Sequence, residues 1–159
     1  ALFEMVAELA PSRLHDFNPQ NVANTVWAYA KVDHASLALF EAVAELALSR
    51  LHDFKPQDMA NIAWAYAVAD VPSVTLFGGC RFVERCTVAG TTFRDCELQQ
   101  LYQWQLWLGE RGGAWPRLPS PFVERCRAAM CARDGMPSQL QRQVVSALKL
   151  LELRPREEV

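Results

Sequence analysis

The sequence predicts an all-α fold, a short α-solenoid of stacked antiparallel helical hairpins with a 37-residue repeat. Residues 15–30 return as residues 52–67 with 11 of 16 positions identical, and the segments 2–38 and 39–75 are identical at 24 of 37 positions. A fixed period of about 20 to 50 residues is typical of solenoids and repeat arrays. The second observation is the i, i+3, i+4 spacing of apolar residues inside each copy, which indicates amphipathic helices. One hairpin cannot cover its own apolar face, so neighbouring hairpins must stack.

The first two copies each predict a pair of helices. Residues 3–14 and 19–32 carry the apolar stripes of the first pair, and residues 37–52 and 56–69 repeat them. The turn between the two stripes of each copy contains the sequence His-Asp-Phe, and a proline follows it. This order predicts two antiparallel helices joined by a short turn.

The second helix of each pair begins with a capping signal. Asp16 or Asn18 can cap it in the first copy, and Pro19 suits its first turn. Asn24 and Asn61 lie in the middle of this helix, where we expect each amide to bridge to a neighbouring loop carbonyl; ligand contact is the alternative. The residues expected to face inward in the first copy are Val22, Ala23, Val26, Trp27 and Ala30.

The second half of the chain continues the pattern less regularly. A third copy opens in register, but Gly78–Gly79 weakens the start of its first helix, and residues 97–108 supply its second helix. Residues 120–133 and 138–152 predict a last hairpin. The expected organisation is two regular hairpin repeats in residues 1–75, a degenerate third repeat in 76–108, a Gly- and Pro-rich loop in 109–121, and a C-terminal hairpin in 122–159.

Composition and charge exclude several classes of protein. A hydrophobic content of 51% is enough for a core, and the absence of a run of about 18 apolar residues argues against a membrane span. Residues 1–75 carry nine acidic side chains against four basic ones, whereas residues 76–159 carry nine against twelve. The acidic first half argues against a strongly electrostatic grip on phosphates, and the arginine-rich second half leaves room for one.

Cysteine and histidine do not form a metal or catalytic pattern. The cysteines include no C-x-x-C pair and lie far in sequence from the three histidines, so we expect reduced thiols buried in helices; they are Cys80, Cys86, Cys96, Cys126 and Cys131. No P-loop, protein-kinase motif, G-x-S-x-G or H-E-x-x-H is present. His15 and His52 each adjoin an aspartate at equivalent turn positions, which favours hydrogen bonding within the turn. We therefore predict a non-enzymatic chain without a cofactor or metal ion.

Two stretches of the chain carry a family resemblance. The motif F-x-P-Q-x-x-A-N-x-x-W-A-Y-A in residues 17–30 and 54–67 resembles the octotricopeptide repeat of algal and protist organelle proteins. The second half is similar to the segment before the RAP domain of FAST-kinase-like helical-repeat proteins. This likeness lies in Leu101–Tyr102–Gln103–Trp104, Leu118–Pro119, Ser138–Gln139–Leu140–Gln141 and Val144, and residues 155–159 resemble the approach to such a RAP domain.

The resemblance implies a module that binds single-stranded RNA in a chloroplast or mitochondrion and acts in RNA processing, stability or translation. Both ends of the sequence look cut, so we expect the targeting segment and the RAP domain to lie outside it. Gly78–Gly79 and the irregular third repeat depart from a uniform correspondence of one repeat to one base. A protein–protein scaffold is the alternative, because an α-solenoid offers its concave surface to peptides as readily as to RNA.

Positions that differ between the copies are the candidates for RNA recognition, since base-reading helical repeats use two or three side chains per unit. Their spacing of three and four residues predicts one face of the second helix or its cap. Sequence drift on a solvated face is the alternative. These candidates are Asn18, Asn21 and Thr25 in the first copy and Lys55, Asp58 and Ile62 in the second.

Arginines of the second half are the candidates for phosphate contact. The alternative is that they pair with neighbouring acidic residues or are simply solvated, because surface ion pairs are common and weak. These candidates are Arg81, Arg85, Arg94, Arg125, Arg127 and Arg133.

Overall fold

The chain folds as an all-α protein. A computed structural model describes residues 12–134, and within that range every regular element is a helix. The α-helices are α1 (Pro19–Lys31), α2 (Leu37–Ser49), α3 (Pro56–Val68), α4 (Val74–Phe77), α5 (Arg81–Val88), α6 (Asp95–Glu110) and α7 (Ser120–Asp134). Three short 3-10 turns lie at Leu14–Asp16, Leu51–Asp53 and Gly90–Thr92.

Helix positions agree closely with those expected from the sequence. The predicted helices 19–32, 56–69 and 120–133 correspond to α1, α3 and α7. Helix α2 ends three residues before position 52, because its last turn tightens into the 3-10 turn Leu51–Asp53. The weak start of the third copy is seen as an interruption between α4 and α5. The predicted helix 138–152 and most of the predicted stripe 3–14 lie outside the described residues.

Three helices begin with a capping contact between the N-cap residue and the third helical residue, and the direction of this hydrogen bond in α1 is opposite to that in α3 and α6. Asn18 caps α1, since its Oδ1 accepts a hydrogen bond from the Asn21 backbone N–H at 2.8 Å. At the start of α3 the Asp58 carboxylate accepts from the Lys55 N–H at 3.1 Å. At the start of α6 the Glu97 carboxylate accepts from the Arg94 N–H at 2.9 Å. The second helix of each hairpin therefore starts at the same point of its sequence pattern.

The helices form two layers. Helix α1 packs against α3, α3 against α6, and α6 against α7, so these helices lie side by side. Helix α2 packs against α1 and against α4, and it belongs with α4 to the second layer. Ala60, Ala63 and Ala65 on α3 are fully buried, and their small side chains let the neighbouring helices approach closely.

A chain of aromatic contacts joins the two layers. The ring of Tyr66 meets those of Phe40 and Phe77 edge to face, at centroid distances of 4.9 and 5.4 Å. Phe77 in turn contacts Phe82 at 5.0 Å and Trp104 at 5.2 Å. The Tyr66 hydroxyl donates a hydrogen bond to the Phe40 carbonyl oxygen, and burial raises the pKa of that hydroxyl. These side chains fix the separation of α2, α3, α4 and α6.

Arginines tie each hairpin to the turn of the preceding one. Their guanidinium groups donate to carbonyl oxygens of these turns, which is a common use of arginine at element ends. Arg50 donates to Phe17 O at 3.2 Å, and Arg125 donates to Gly90 O at 2.7 Å. Arg85 donates to three carbonyl oxygens of one turn, which are Leu51 O at 3.3 Å, His52 O at 3.5 Å and Phe54 O at 3.1 Å. The same contact therefore recurs along the stack.

Replacing Arg85 with alanine should destabilise the fold by about 1–3 kcal/mol, because three turn carbonyls lose a charged donor that is partly shielded from water. Arg81 is the matched control on the same helix: it is exposed and makes no hydrogen bond or ion pair to another described residue. Arg81→Ala should change the free energy of unfolding by less than about 0.5 kcal/mol. Urea unfolding followed by circular dichroism measures both, and equal effects would refute the bracing role of Arg85.

Candidate functional site

The helices α1, α3 and α6 share an outward-facing groove of about 610 Å³. Equivalent residues of the three helices form its floor. The positions six residues after each N-cap carry Asn24, Asn61 and Gln100, and the positions nine residues after it carry Trp27, Trp64 and Gln103. We call this groove the amide groove, and these six residues form its floor.

Side-chain amides are the first kind of chemical group in the groove. Gln100 Nε2 donates a hydrogen bond to Asn61 Oδ1 at 3.1 Å, which links α6 to α3 across the groove floor. The expectation that the mid-helix asparagines bridge to loop carbonyls is wrong for Asn61, whose described partner is Gln100. Asn24 is exposed and makes no hydrogen bond to another described residue. An amide in such a setting can both donate to and accept from a ligand.

Tryptophan rings are the second kind of chemical group in the groove. The rings of Trp27 and Trp64 lie 6.1 Å apart between centroids and are tilted by 36°. Trp27 is 36% exposed, so the expectation that it faces inward is wrong. The ammonium group of Lys31 lies 5.5 Å from the centre of the Trp27 ring, within the range of a cation–π contact. Two indoles and one cation therefore meet the solvent side by side.

Charge in the groove is positive on balance. The charged residues that line it within the described range are Lys31, Arg94 and Glu97. Glu97 is only 3% exposed, and its Oε1 accepts from Arg94 Nε at 2.8 Å. The Glu97 carboxylate also caps α6, so it is committed to the fold. Lys31 is thus left as the cation without a carboxylate partner among these groove residues.

A set of polar contacts joins α6 to the end of α3, outside the residues that line the groove. Trp107 Nε1 donates to Asp70 Oδ1 at 2.8 Å, and Arg111 pairs with the same carboxylate while its guanidinium lies 4.8 Å from the centre of the Trp107 ring. The hydrogen bond from Trp107, followed by that from Arg111, lowers the pKa of Asp70. Asp70 and its equivalent Asp33 both adopt positive φ, 56° and 54°, at the end of their helices.

Two residues predicted to face RNA are instead buried. Asp58 is 4% exposed and its carboxylate caps α3, while Ile62 is 1% exposed. The prediction that they line an open surface is therefore wrong. Helix α3 packs between α1 and α6. The α1 equivalents of these two residues, Asn21 and Thr25, are not covered in this way.

Neighbouring candidates on α1 lie beside the amide groove rather than in it. Asn21 and Thr25 line a separate shallow hollow of about 380 Å³, which also includes Phe17 and Asn24. Thr25 Oγ1 donates to the Asn21 carbonyl oxygen at 2.8 Å. Asn18 is the N-cap of α1, and Lys55 holds the same position before α3 with an exposed side chain. The candidate positions that differ between the copies are therefore determined more by packing and helix capping than by the amide groove.

Among the arginine candidates whose side chains the structure describes, only Arg94 lines the amide groove. Arg85 and Arg125 donate to turn carbonyls as described above, and Arg127 pairs with Glu124 at 2.8 Å. Arg81 is exposed on α5. Arg133 lies in α7, and its side chain is outside the described residues.

Among the groove residues, Arg94 was predicted to contact phosphate, and ligand contact was the alternative for Asn24 and Asn61. Trp27 and Trp64 were not predicted to bind, because they do not change between the first two copies and such identical aromatic positions were assigned to packing. Polar Asn24 and aromatic Trp27 are three residues apart, so they lie one turn apart on a single helix face. The same pair recurs as Asn61 and Trp64, and that repeated polar–aromatic face is the signal that would have identified the groove.

Thiols are distributed differently from the expectation. All five cysteines are free; Cys86 and Cys126 are buried, whereas Cys80, Cys96 and Cys131 are exposed, so the expectation of buried thiols is wrong for three of them. Among residues 12–134, no three His, Cys, Asp or Glu side chains are placed to hold a metal ion. None of the helices in the same range is long and apolar enough to cross a membrane.

Comparison with protein families, with curated proteins and with solved structures finds no match for this chain. The residues of the groove are therefore the basis on which a function can be proposed.

Thiol reactivity should follow this distribution. Burial raises the pKa of the Cys86 thiol and raises that of Cys126 to about 11, and a hydrogen bond to Glu84 raises the pKa of exposed Cys80. Because the thiolate is the nucleophile, we expect Cys96 and Cys131 to react first with an alkylating reagent at mildly alkaline pH, and Cys80 more slowly. Cys86 and Cys126 should react only after unfolding. Peptide mapping by mass spectrometry would contradict this order if all five thiols were labelled together in the native protein.

Proposed function

We propose that the chain is an RNA-binding helical-repeat module of an organellar post-transcriptional regulator, and that single-stranded RNA binds in the amide groove. The observation that supports this most directly is the placement of Trp27 and Trp64 beside Asn24, Asn61 and Gln100 in one groove. The organellar setting and the role in RNA processing, stability or translation rest on the sequence resemblance to octotricopeptide-repeat and RAP-domain proteins.

Each component of the groove suits a different part of a single strand. Base–aromatic stacking contributes about 1–3 kcal/mol per base, and it requires an unpaired base because a duplex hides the base faces. Amide side chains can hydrogen-bond to the edges of bases that are exposed in this way. Lys31 and Arg94 lie at the same surface and can approach phosphates. With few cations present, stacking rather than charge would supply most of the affinity.

Binding without catalysis or a cofactor is part of the proposal. Glu97 is the carboxylate among the groove residues, and it is held by Arg94 and by the N-terminus of α6. A general acid or base must be able to reach a substrate proton, which this committed side chain does not favour. His15 and His52 are exposed and contact the aspartates next to them in the turns.

A protein–protein scaffold is the second candidate, and the amide floor is the observation that favours it. Asn and Gln side chains can donate to and accept from the backbone of an extended peptide as well as from a base edge. A peptide of this kind would not need the exposed indole surfaces for stacking. The response to removal of Trp27 therefore separates the two candidates.

Trp27→Ala should weaken the binding of short single-stranded RNA about 5- to 100-fold, because it removes one stacking surface. Trp27 is partly exposed, so its loss should leave the fold intact. Fluorescence anisotropy with a labelled mixed-sequence RNA measures the dissociation constant, and circular dichroism checks the helix content.

Trp27→Phe is the conservative control, since a smaller ring still stacks and should lose less affinity than alanine. Leu106→Ala is the matched surface control, because Leu106 is an exposed apolar residue on α6 and does not line the groove. Equal affinity of wild type and Trp27→Ala, or no binding of wild type to single-stranded RNA at low salt, would contradict the proposal.

A further inference from the structure

We propose that Asn61 makes the amide groove selective for keto bases, uracil and guanine, over the amino bases cytosine and adenine. This inference rests on the proposed function and adds to it the residue and the chemistry that choose the base. It is carried by the hydrogen bond that fixes the Asn61 amide and by the stacking surface one turn away on the same helix face.

The direction of the Asn61 amide follows from its partner. Gln100 Nε2 donates to Asn61 Oδ1 at 3.1 Å, so the oxygen end of the Asn61 carboxamide is already engaged by α6. The opposite end of a carboxamide is an NH₂ group with two donors. Asn61 is half-buried and lines the groove, so these donors are what it offers to a ligand there.

The neighbouring indole places a base within reach of those donors. Trp64 follows Asn61 by three residues, which puts the two side chains one turn apart on the groove side of α3. The Trp27 and Trp64 rings contact each other at 6.1 Å, so a base would stack on the open side of the pair rather than between its members. A base stacked in this way turns its edge toward the floor of the groove, where Asn61 lies.

A donor at that position distinguishes bases by one exocyclic group. At this exocyclic position uracil and guanine carry a carbonyl oxygen, which accepts a hydrogen bond. Cytosine and adenine carry an amino group at the same position, which only donates. Two donors facing each other leave both unsatisfied, and such a mismatch lowers affinity more than the loss of a weak contact would. We expect about a three- to tenfold preference for uracil over cytosine.

Asn24 provides the internal comparison. It occupies the position of Asn61 on α1, but it makes no hydrogen bond to another described residue, so its amide is not oriented by a partner. An amide that can turn either end toward a ligand accommodates both kinds of edge. Selectivity is therefore assigned to Asn61 and not to its equivalent.

The test exchanges the donor for an acceptor without changing the shape of the side chain. Asn61→Asp retains an oxygen that can accept from Gln100, and its second oxygen replaces the NH₂ group. Asn24→Asp adds the same negative charge at the equivalent position and serves as the matched control. Affinities for oligo(U) and oligo(C) of equal length, measured by anisotropy at one salt concentration, give a U/C ratio for each protein.

The expected result is a U/C ratio of three or more for the wild type and for Asn24→Asp, and a ratio near or below one for Asn61→Asp. If wild type binds both oligonucleotides but all three proteins share one ratio, the assignment to Asn61 is overturned while the proposed function stands. The wild-type ratio needs no variant, so a value near one also overturns the inference even if Asn61→Asp fails to fold. If wild type binds neither oligonucleotide, the proposed function falls with it.

Discussion

Side-by-side packing of α1, α3 and α6 in a common register is the constraint on which the rest of this structure depends. Small buried residues such as Ala60 and Ala63 allow the helices to approach, and the aromatic contacts around Tyr66 and Phe77 set the second layer beneath them. Because each of these helices is capped by a contact between its N-cap residue and its third residue, residues at equal distances from the N-caps come to lie next to each other. The amide groove is a direct result of that alignment.

The same register explains why the two sides of these helices have different roles. On the packed side of α3, Asp58 and Ile62 are buried and contribute to the fold. On the outward side, Asn61 and Trp64 keep contact with solvent. A substitution on the packed side changes stability, whereas one on the outward side changes what the surface can bind. Variation between copies therefore does not by itself mark a binding residue.

Helix positions could be predicted from the sequence because they depend on local signals. Asn18 followed by Pro19 marks the start of α1, and Gly78–Gly79 marks the interruption between α4 and α5. The site could be predicted only in part, since burial depends on which helix covers which face. Nothing in the sequence around Arg85 shows that its guanidinium reaches three carbonyls of a turn more than 30 residues earlier. Such contacts come from the stacking geometry.

Several of the arginines that were candidates for phosphate contact instead form contacts within the fold, which lowers the positive charge available to a ligand. Arg85 and Arg125 brace the turns and Arg127 pairs with Glu124, so much of the positive charge in the second half serves the fold. The groove itself combines two indoles and several amides with few cations. Recognition by such a surface would depend on base faces and base edges, which are accessible in single strands. This composition suits the proposed binding of unpaired bases better than it suits a general phosphate-binding surface.

The most direct measurement is nuclear magnetic resonance of the five indole N–H groups during titration with oligo(U). Trp27 and Trp64 line the groove, whereas Trp104 is fully buried in the core and Trp107 is held by Asp70. If RNA binds in the amide groove as proposed, the Trp27 and Trp64 signals shift in proportion to bound RNA while the Trp104 signal stays in place. Shifts confined to Trp107 or Trp115, or no shift at saturating RNA, would contradict the proposal.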